Sequence, residues 1–360
     1  MDLVSLDRLL NLTPVIVQGM HPVSLAYLSE DVNIYPSVQE LAWKLDIPQT
    51  IQPHRALSFD TSAKYATRFP VVTVNHDPFT TDLNRVLFDR YDFLATHMLT
   101  HAQVAERILS EVHRFDTVIF ILLDGLSYTD CKDWPGIEPC LAAHPTITRV
   151  GFPTIVGNPP IAARLFTAGF NQRIGFTYWD RVDNRLTKCL FQTITETVCL
   201  DPAQPTTFNQ IIDWMSLHDL SGTYIQIVRS ALDEYAEGHR VAIPRKAIIN
   251  KLRNDLEAIS DILEHKGRPA ILFAVADHGI LWKEDGHKIE LINMPGARYL
   301  EGRSGPGRGR SFKADDQDYW VLDYPQMGRQ WLSNEQGIHG GMSFEESIVP
   351  FIQWEVNLLC

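Results

Sequence analysis

Four runs of the chain carry almost nothing but apolar residues: TVIFILL (117–123), TYIQIV (223–228), AILFAVA (270–276) and SIVPFI (347–352). Runs this short and this continuous predict β-strands buried on both faces. A different pattern lies between the second and third. Ile248, Ile249, Leu252, Leu256, Ile259 and Leu263 recur at helical spacing from about Arg245 to His265, and Gly267 follows as a stop signal. Apolar strands separated by amphipathic helices predict an α/β fold: a mostly parallel central sheet with helices on both faces. Upstream the pattern is mixed. TPVIVQG and FPVVTVN read as short strands, and Ala102, Ala105, Leu109 and Val112 mark one face of a helix. Residues 1–113 are therefore expected to form an N-terminal extension of mixed α/β character, able to pack on a main domain of residues 114–360.

In such sheets ligands bind beyond the carboxyl ends of the strands. Asp124 follows the first long run directly, and Asp277-His278-Gly279 follows the third. Asp and Gly also open ordinary turns, so either site alone is ambiguous. Together they deliver two carboxylates and an imidazole to one sheet edge, which favours chemistry. HPTITRVGFPTIVGN (144–158) offers hydroxyls at Thr146, Thr148 and Thr154. It reads either as a β-rich segment, by threonine's strand propensity, or as the carrier of a nucleophile that a base or metal must activate. In LDEYAEGHR (232–240), Asp233 and Glu237 are four apart and share a face if helical, with His239 two residues beyond. A solvated acidic turn would read the same way. In GIHGGMSFEESIVP (337–350), His339 lies among glycines that allow close approach to a charged centre, and Ser343 with Glu345 and Glu346 suits a helix start.

Composition narrows the chemistry. A formal net charge of −12 argues against a broad nucleic-acid or anionic-membrane surface, though a small basic pocket remains compatible with it. The five cysteines (131, 140, 189, 199 and 360) are odd in number and form no C-x-x-C pair, as expected of reduced thiols in the cytoplasm. MDLVSLDRLL lacks a basic signal-peptide start, and no apolar run reaches the roughly 20 residues that span a bilayer. The candidates Asp124, Thr148, Asp233, Glu237, His239, Asp277, His278 and His339 offer oxygen and nitrogen but no sulfur. That is the donor palette of Zn²⁺ or Mn²⁺ in a hydrolytic two-metal site, with enough carboxylate to offset the cations.

With these segments in hand, the chain resembles the alkaline phosphatase superfamily, in particular its PglZ and nucleotide pyrophosphatase/phosphodiesterase branches. LLDG (122–125), PTIT (145–148), the Asp…His segment (233–239), ADHG (276–279) and HGGMSFEESIVP (339–350) occur in the family's order. The last looks like the PglZ ending. GFNQRIGFTYWD (169–180) resembles the segment after the nucleophile helix. The likeness spans about residues 115–355. It implies that Asp124, Thr148, Asp277 and His278 hold one metal beside the nucleophile Thr148, and that Asp233, His339 and a further ligand hold a second. One departure stands out: the family's Asp-x-x-x-His places Glu237 where His is usual. Glu237 could substitute, a bulge could bring in His239, or the second site could be weak or vacant. The Cys/Ser motif of sulfatases is absent, and Thr stands where the mutases carry Ser.

The resemblance implies a metal-dependent hydrolase of phosphate esters, with phosphodiesters of nucleotides or oligonucleotides foremost, acting through a phosphothreonine. Arg149 next to the nucleophile, and Arg303 and Arg308 in the Gly-rich ARYLEGRSGPGRGR (297–310), are candidate substrate-binding cations. That stretch reads equally as a solvated excursion or as a substrate lid. The rival reading is a weak or inactive PglZ-like module that serves as a partner in a phage-defence or signalling assembly. The intact first cluster argues against it.

Overall fold

The computed structural model describes strands Val15–Gln18, Asn33–Ile34, Arg55–Ser58 and Val71–Thr73, then residues 83–178, 185–200, 208–238 and 243–357. The chain divides into two compact units, Met1–Met98 and Leu99–Cys360. In the first, β1 (Val15–Gln18), β2 (Asn33–Ile34), β3 (Arg55–Ser58) and β4 (Val71–Thr73) form a parallel sheet in the order β2–β1–β3–β4. Helices α1 (Leu83–Asp89) and α2 (Tyr91–His97) follow. Both short strands read from the sequence, TPVIVQG and FPVVTVN, are present.

The second unit is built on β5 (Leu99–Thr100), β6 (Thr117–Leu123), β7 (Ile137–Leu141), β8 (Gln172–Thr177), β9 (Glu196–Cys199), β10 (Thr223–Arg229), β11 (Ala270–Ala276) and β12 (Ile348–Val356). They form one eight-stranded sheet in the order β5–β7–β12–β11–β6–β10–β8–β9. All neighbours are parallel except β12, which runs antiparallel to both β11 and β7. Every residue of β6, β10 and β11 is buried. Side chains alternate between faces along a strand, so both faces of the sheet are covered and the continuous apolar runs are explained.

The principal helices are α3 (His101–Glu111), α4 (Thr148–Val156), α5 (Asn209–Leu217), α6 (Leu232–Ala236), α7 (Arg245–Lys266) and α8 (Phe344–Ser347). Helix α7 buries all six stripe residues read from the sequence and ends on Gly267, whose φ of 68° closes the helix in the left-handed region. Helix α3 packs on α4 and belongs to the second unit, so the division falls after Met98, ahead of residue 113. Its buried face also differs from the expected one. Ala102 is exposed, and the stripe is His101, Val104, Ala105, Ile108 and Val112. The threonine-rich segment turns helical at Thr148 because Gly151, Phe152, Ile155 and Val156 fall on one buried face, and packing outweighs strand propensity. The Gly-rich stretch 297–310 is not a bare loop. Tyr299–Glu301 and Gly309–Ala314 both pair antiparallel with Gln317–Leu322 in a small sheet.

No helix among the described residues is long and apolar enough to cross a membrane, and Cys131 and Cys140 are buried free thiols. Phe273, in the middle of β11, is fully buried and packs 5.9 Å from Phe351 of β12. Phe273→Ala should destabilise the chain by about 3–5 kcal/mol, read as a lower urea midpoint at unchanged m-value.

Candidate metal and phosphoryl-transfer site

Three neighbouring parallel strands, β11, β6 and β10, end level with one another. The Asp124 amide donates to the Arg229 carbonyl at 2.9 Å, and the Asp277 amide to the Leu123 carbonyl at 3.1 Å. The next residues therefore emerge side by side at the carboxyl edge. Gly125 follows Asp124 at φ +82°, where a Cβ would meet Ile280 at 2.7 Å, and its amide donates to Asp277 Oδ1 at 3.3 Å. The antiparallel direction of β12 brings the segment before it, with His339 and Glu346, back to this same edge. Helix α4 starts there too. Gly151 permits the approach, because a Cβ on it would lie 2.6 Å from the Asp277 carbonyl.

Asp124, Asp277 and His278 are buried, while Thr148, Asp233 and His339 remain partly open to solvent. His278 Nε2 lies 3.4 Å from Asp277 Oδ2 and 3.7 Å from Asp124 Oδ1. The Thr148 hydroxyl is 3.2 Å from His278 Nε2 and 3.5 Å from Asp124 Oδ1. Across the site, His339 Nε2 pairs with Asp233 Oδ1 at 3.2 Å, and the His339 ring stacks on that of His278 at 4.0 Å. Two overlapping donor groups result: Asp124, Asp277 and His278, and Asp233, His278 and His339.

The ionisation of this cluster is strongly perturbed. Burial raises the Asp124 carboxyl well above its ordinary range, and the neighbouring Asp277 adds to the rise. Burial, then the Asp233 charge, pushes Asp277 up to about 8. Burial also drives His278 down to about 3, helped by the charge of His339. For His339, burial works against the charged form, but Asp233 and the Thr146 carbonyl outweigh it and raise the ring to about 9.

The donors fit a divalent metal ion on three counts. His278 and His339 each direct Nδ1 at a backbone carbonyl, Gly279 at 3.1 Å and Thr146 at 2.9 Å, which leaves Nε2 facing the acids. Asp277 Oδ2 is buried without a hydrogen bond. The set holds only oxygen and nitrogen, as Zn²⁺ and Mn²⁺ accept.

The other expected site residues fall elsewhere. Glu237 is exposed and belongs to neither donor group, although its charge contributes to the rise at Asp124. His239 lies outside the described residues. Arg149 is exposed at the start of α4, 3.4 Å from Glu301 and 5.7 Å from the Tyr319 ring centroid. Arg303 and Arg308 pair with Asp318 at 2.7 Å and Asp323 at 3.0 Å. Ser127, which was not an expected site residue, has a structural part nearby: its hydroxyl donates to the Glu345 carbonyl at 2.7 Å and accepts from the Ile280 amide at 3.2 Å.

Several supporting groups escaped sequence reasoning. The Thr146 hydroxyl donates to the Gly341 carbonyl at 2.9 Å and accepts from the Gly340 amide at 3.0 Å, stapling the His-Gly-Gly turn to the nucleophile segment. Glu346, fully buried, takes the Arg298 guanidinium through Nε at 3.1 Å and through Nη2. It also accepts from the Gly341 amide at 2.8 Å and the Ser343 amide at 3.1 Å. The paired glutamates of the motif were a signal for α8, whose capping box joins Ser343 to Glu346.

No family model and no curated protein matches the chain. Among solved structures it is similar to murine ectonucleotide pyrophosphatase/phosphodiesterase 5, at 12% identity and TM-score 0.42 over 65% of this chain and 87% of that one. It is similar to phosphonoacetate hydrolase from Sinorhizobium meliloti, at 12% identity and TM-score 0.41 over 67% and 90%. A third is the C-terminal periplasmic domain of phosphoethanolamine transferase EptC from Campylobacter jejuni, at 9% and 0.37 over 67% and 80%. At values this low, a functional assignment has to stand on the chain's own residues.

Two measurements test the site. At pH 7 metal-free Asp277 and His339 still hold protons, so adding Zn²⁺ should expel protons, seen by calorimetry in buffers of different ionisation enthalpy. The His339 share of the release should fade as pH rises past about 9, and a buffer-independent heat at pH 7 would contradict the assignment. Thr146→Val keeps the shape but leaves buried Gly340 and Gly341 groups unpaired. It should cost about 1–3 kcal/mol in urea unfolding.

Proposed function

We propose that the chain is a metal-dependent hydrolase of phosphate esters, phosphodiesters of nucleotides or oligonucleotides foremost, acting through a phosphothreonine on Thr148. The carrying observation is the position of one hydroxyl. Thr148 is the first residue of α4 and sits within 3.5 Å of both Asp124 Oδ1 and His278 Nε2. The start of a helix favours an anion, and a threonine hydroxyl becomes a nucleophile only when something takes its proton. Asp124 and His278 are the groups beside it, and an ion held by them would lie next to the hydroxyl and favour loss of its proton.

Asp124, Asp277 and His278 would hold one divalent ion, and Asp233 and His339 would contribute to a second, with Glu237 or His239 as the further ligand. Zn²⁺ or Mn²⁺ bound there would screen the non-bridging phosphoryl oxygens and ease loss of the hydroxyl proton, worth several kcal/mol of barrier. In the reaction the Thr148 oxygen forms a bond to phosphorus as the bond to the leaving oxygen breaks. Water then attacks the phosphothreonine, and the Thr148 oxygen leaves with a proton restored. Arg149, one residue on and exposed, would bind a phosphoryl oxygen of the substrate. Arg303 and Arg308, in the loop between two strands of the small sheet and engaged with acids, would serve a longer substrate. The order of motifs resembles the alkaline phosphatase superfamily and, in its ending, the PglZ type.

The test is hydrolysis of bis-p-nitrophenyl and mono-p-nitrophenyl phosphate with added Zn²⁺ or Mn²⁺. Thr148→Ala should lower kcat at least about 10³-fold, whereas Thr148→Ser keeps part of it. Arg149→Ala should harm the monoester more than the diester, because the monoester carries the extra charge. Activity that survives Thr148→Ala refutes the mechanism. A chain that takes up no metal and cleaves neither ester is instead the non-catalytic partner module.

A further inference from the structure

We propose that His101 is a positioning residue whose ring fixes the strand end bearing Asp277 relative to the loop bearing Thr148. The role rests on the reading of Asp277 and Thr148 as metal ligand and nucleophile. His101 opens α3, outside the span that carries the family likeness, and its side chain is buried. Thr100 and Gln103 hold that helix start through a capping box. The backbone N–H of Ala143 donates to His101 Nδ1 at 3.0 Å. An amide can only donate, so Nδ1 carries its lone pair and the ring proton sits on Nε2, which donates to the Ala276 carbonyl at 2.9 Å. Only this neutral tautomer satisfies both partners, and burial, which lowers the ring to about 3, keeps it neutral.

The two partners are what make the contact functional. Ala276 is the last residue of β11 and immediately precedes Asp277, while Ala143 lies five residues before Thr148. Helix α3 also packs on α4, which Thr148 begins. One imidazole thus bridges the two segments whose spacing sets the distance from hydroxyl to carboxylate. An apolar residue at this buried helix start would fill the space and leave both backbone groups unpaired. Groups that hydrogen-bond a metal ligand commonly alter affinity or rate 10–100-fold when lost, and His101 acts one residue further out, through the backbone before Asp277.

Two kinds of measurement decide it. In wild-type protein with ¹⁵N-labelled histidine, His101 should show the Nε2–H tautomer and no titration between pH 6 and 8. An Nδ1–H tautomer, or a titration in that range, overturns the proposal whether or not any variant folds. In Co²⁺-loaded protein, His101→Phe should shift the visible spectrum and lower both Co²⁺ affinity and kcat by roughly 10–100-fold, with KM changed less than about twofold. His101→Gln, which keeps one donor and one acceptor, should recover much of each. A folded His101→Phe protein with wild-type spectrum, affinity and kcat overturns the proposal. If wild-type protein cleaves no ester yet the Co²⁺ spectrum responds to His101, the hydrolase reading fails and the positioning role stands. If Thr148-dependent hydrolysis is present and His101→Phe leaves it intact, the positioning role alone fails.

Discussion

Two buried carboxylates at the ends of adjacent strands are the constraint around which the second unit is organised. Asp124 and Asp277 are held there by the backbone ladder itself, since their amides bond to Arg229 and Leu123. Neither can move away without breaking strand register. Like charges this close, out of water, resist simultaneous ionisation, which is why burial raises both carboxyls. A protein has no structural need for such an arrangement, because an apolar pair at the same strand ends would be cheaper. It becomes favourable when a cation neutralises it, so the fold's most costly feature is also its clearest functional one.

The surroundings serve to hold that arrangement rather than to relieve it. The positive groups nearby are turned elsewhere: buried Arg229 lies 3.5 Å from Asp255, and buried Arg298 is committed to Glu346. Arg298 and Glu346 in turn clamp the His-Gly-Gly turn, and the Thr146 hydroxyl clamps it again from the nucleophile side. Removing one partner of the Arg298–Glu346 pair would strand a buried charge, a loss of about 3–5 kcal/mol. Ala231, at φ 120°, adds backbone strain just before Asp233, in a conformation few side chains adopt. The turn that carries His339 is therefore held from two sides, and what distinguishes the two sides is exposure: Asp277 and His278 are buried, Asp233 and His339 partly open to solvent.

The two donor groups are not equivalent, and His278 is the reason. Its Nδ1 faces the Gly279 carbonyl, so the neutral ring has one lone pair, on Nε2, to offer. One lone pair serves one ion. With His278 given to Asp124 and Asp277, the other group keeps Asp233 and His339 among the described residues. Glu237, where the sequence resemblance led us to expect histidine, is exposed and adds no donor to this thinner group.

What the sequence made legible follows from one physical fact. A strand buried on both faces must be apolar throughout, so a polar residue at its end stands out sharply. That contrast exposed Asp124 and Asp277, and it placed β6 and β11 at their observed ends. The same contrast failed wherever a polar group sits inside an apolar pattern. Helix α3 was read only in part: Ala105 and Val112 are buried as expected and Leu109 is half-buried, whereas Ala102 is exposed and the stripe also takes in Val104, Ile108 and the polar His101, which a count of apolar residues skips. Thr146 looked like one of three interchangeable hydroxyls, and Arg298 like one of several loop cations, until hydrogen bonding set them apart. Hydrophobic periodicity locates the groups that face the ligand, because these interrupt it at its ends. The groups that hold them in place occupy core positions and mimic gaps, so a polar residue standing where the period calls for an apolar one is the signal to pursue.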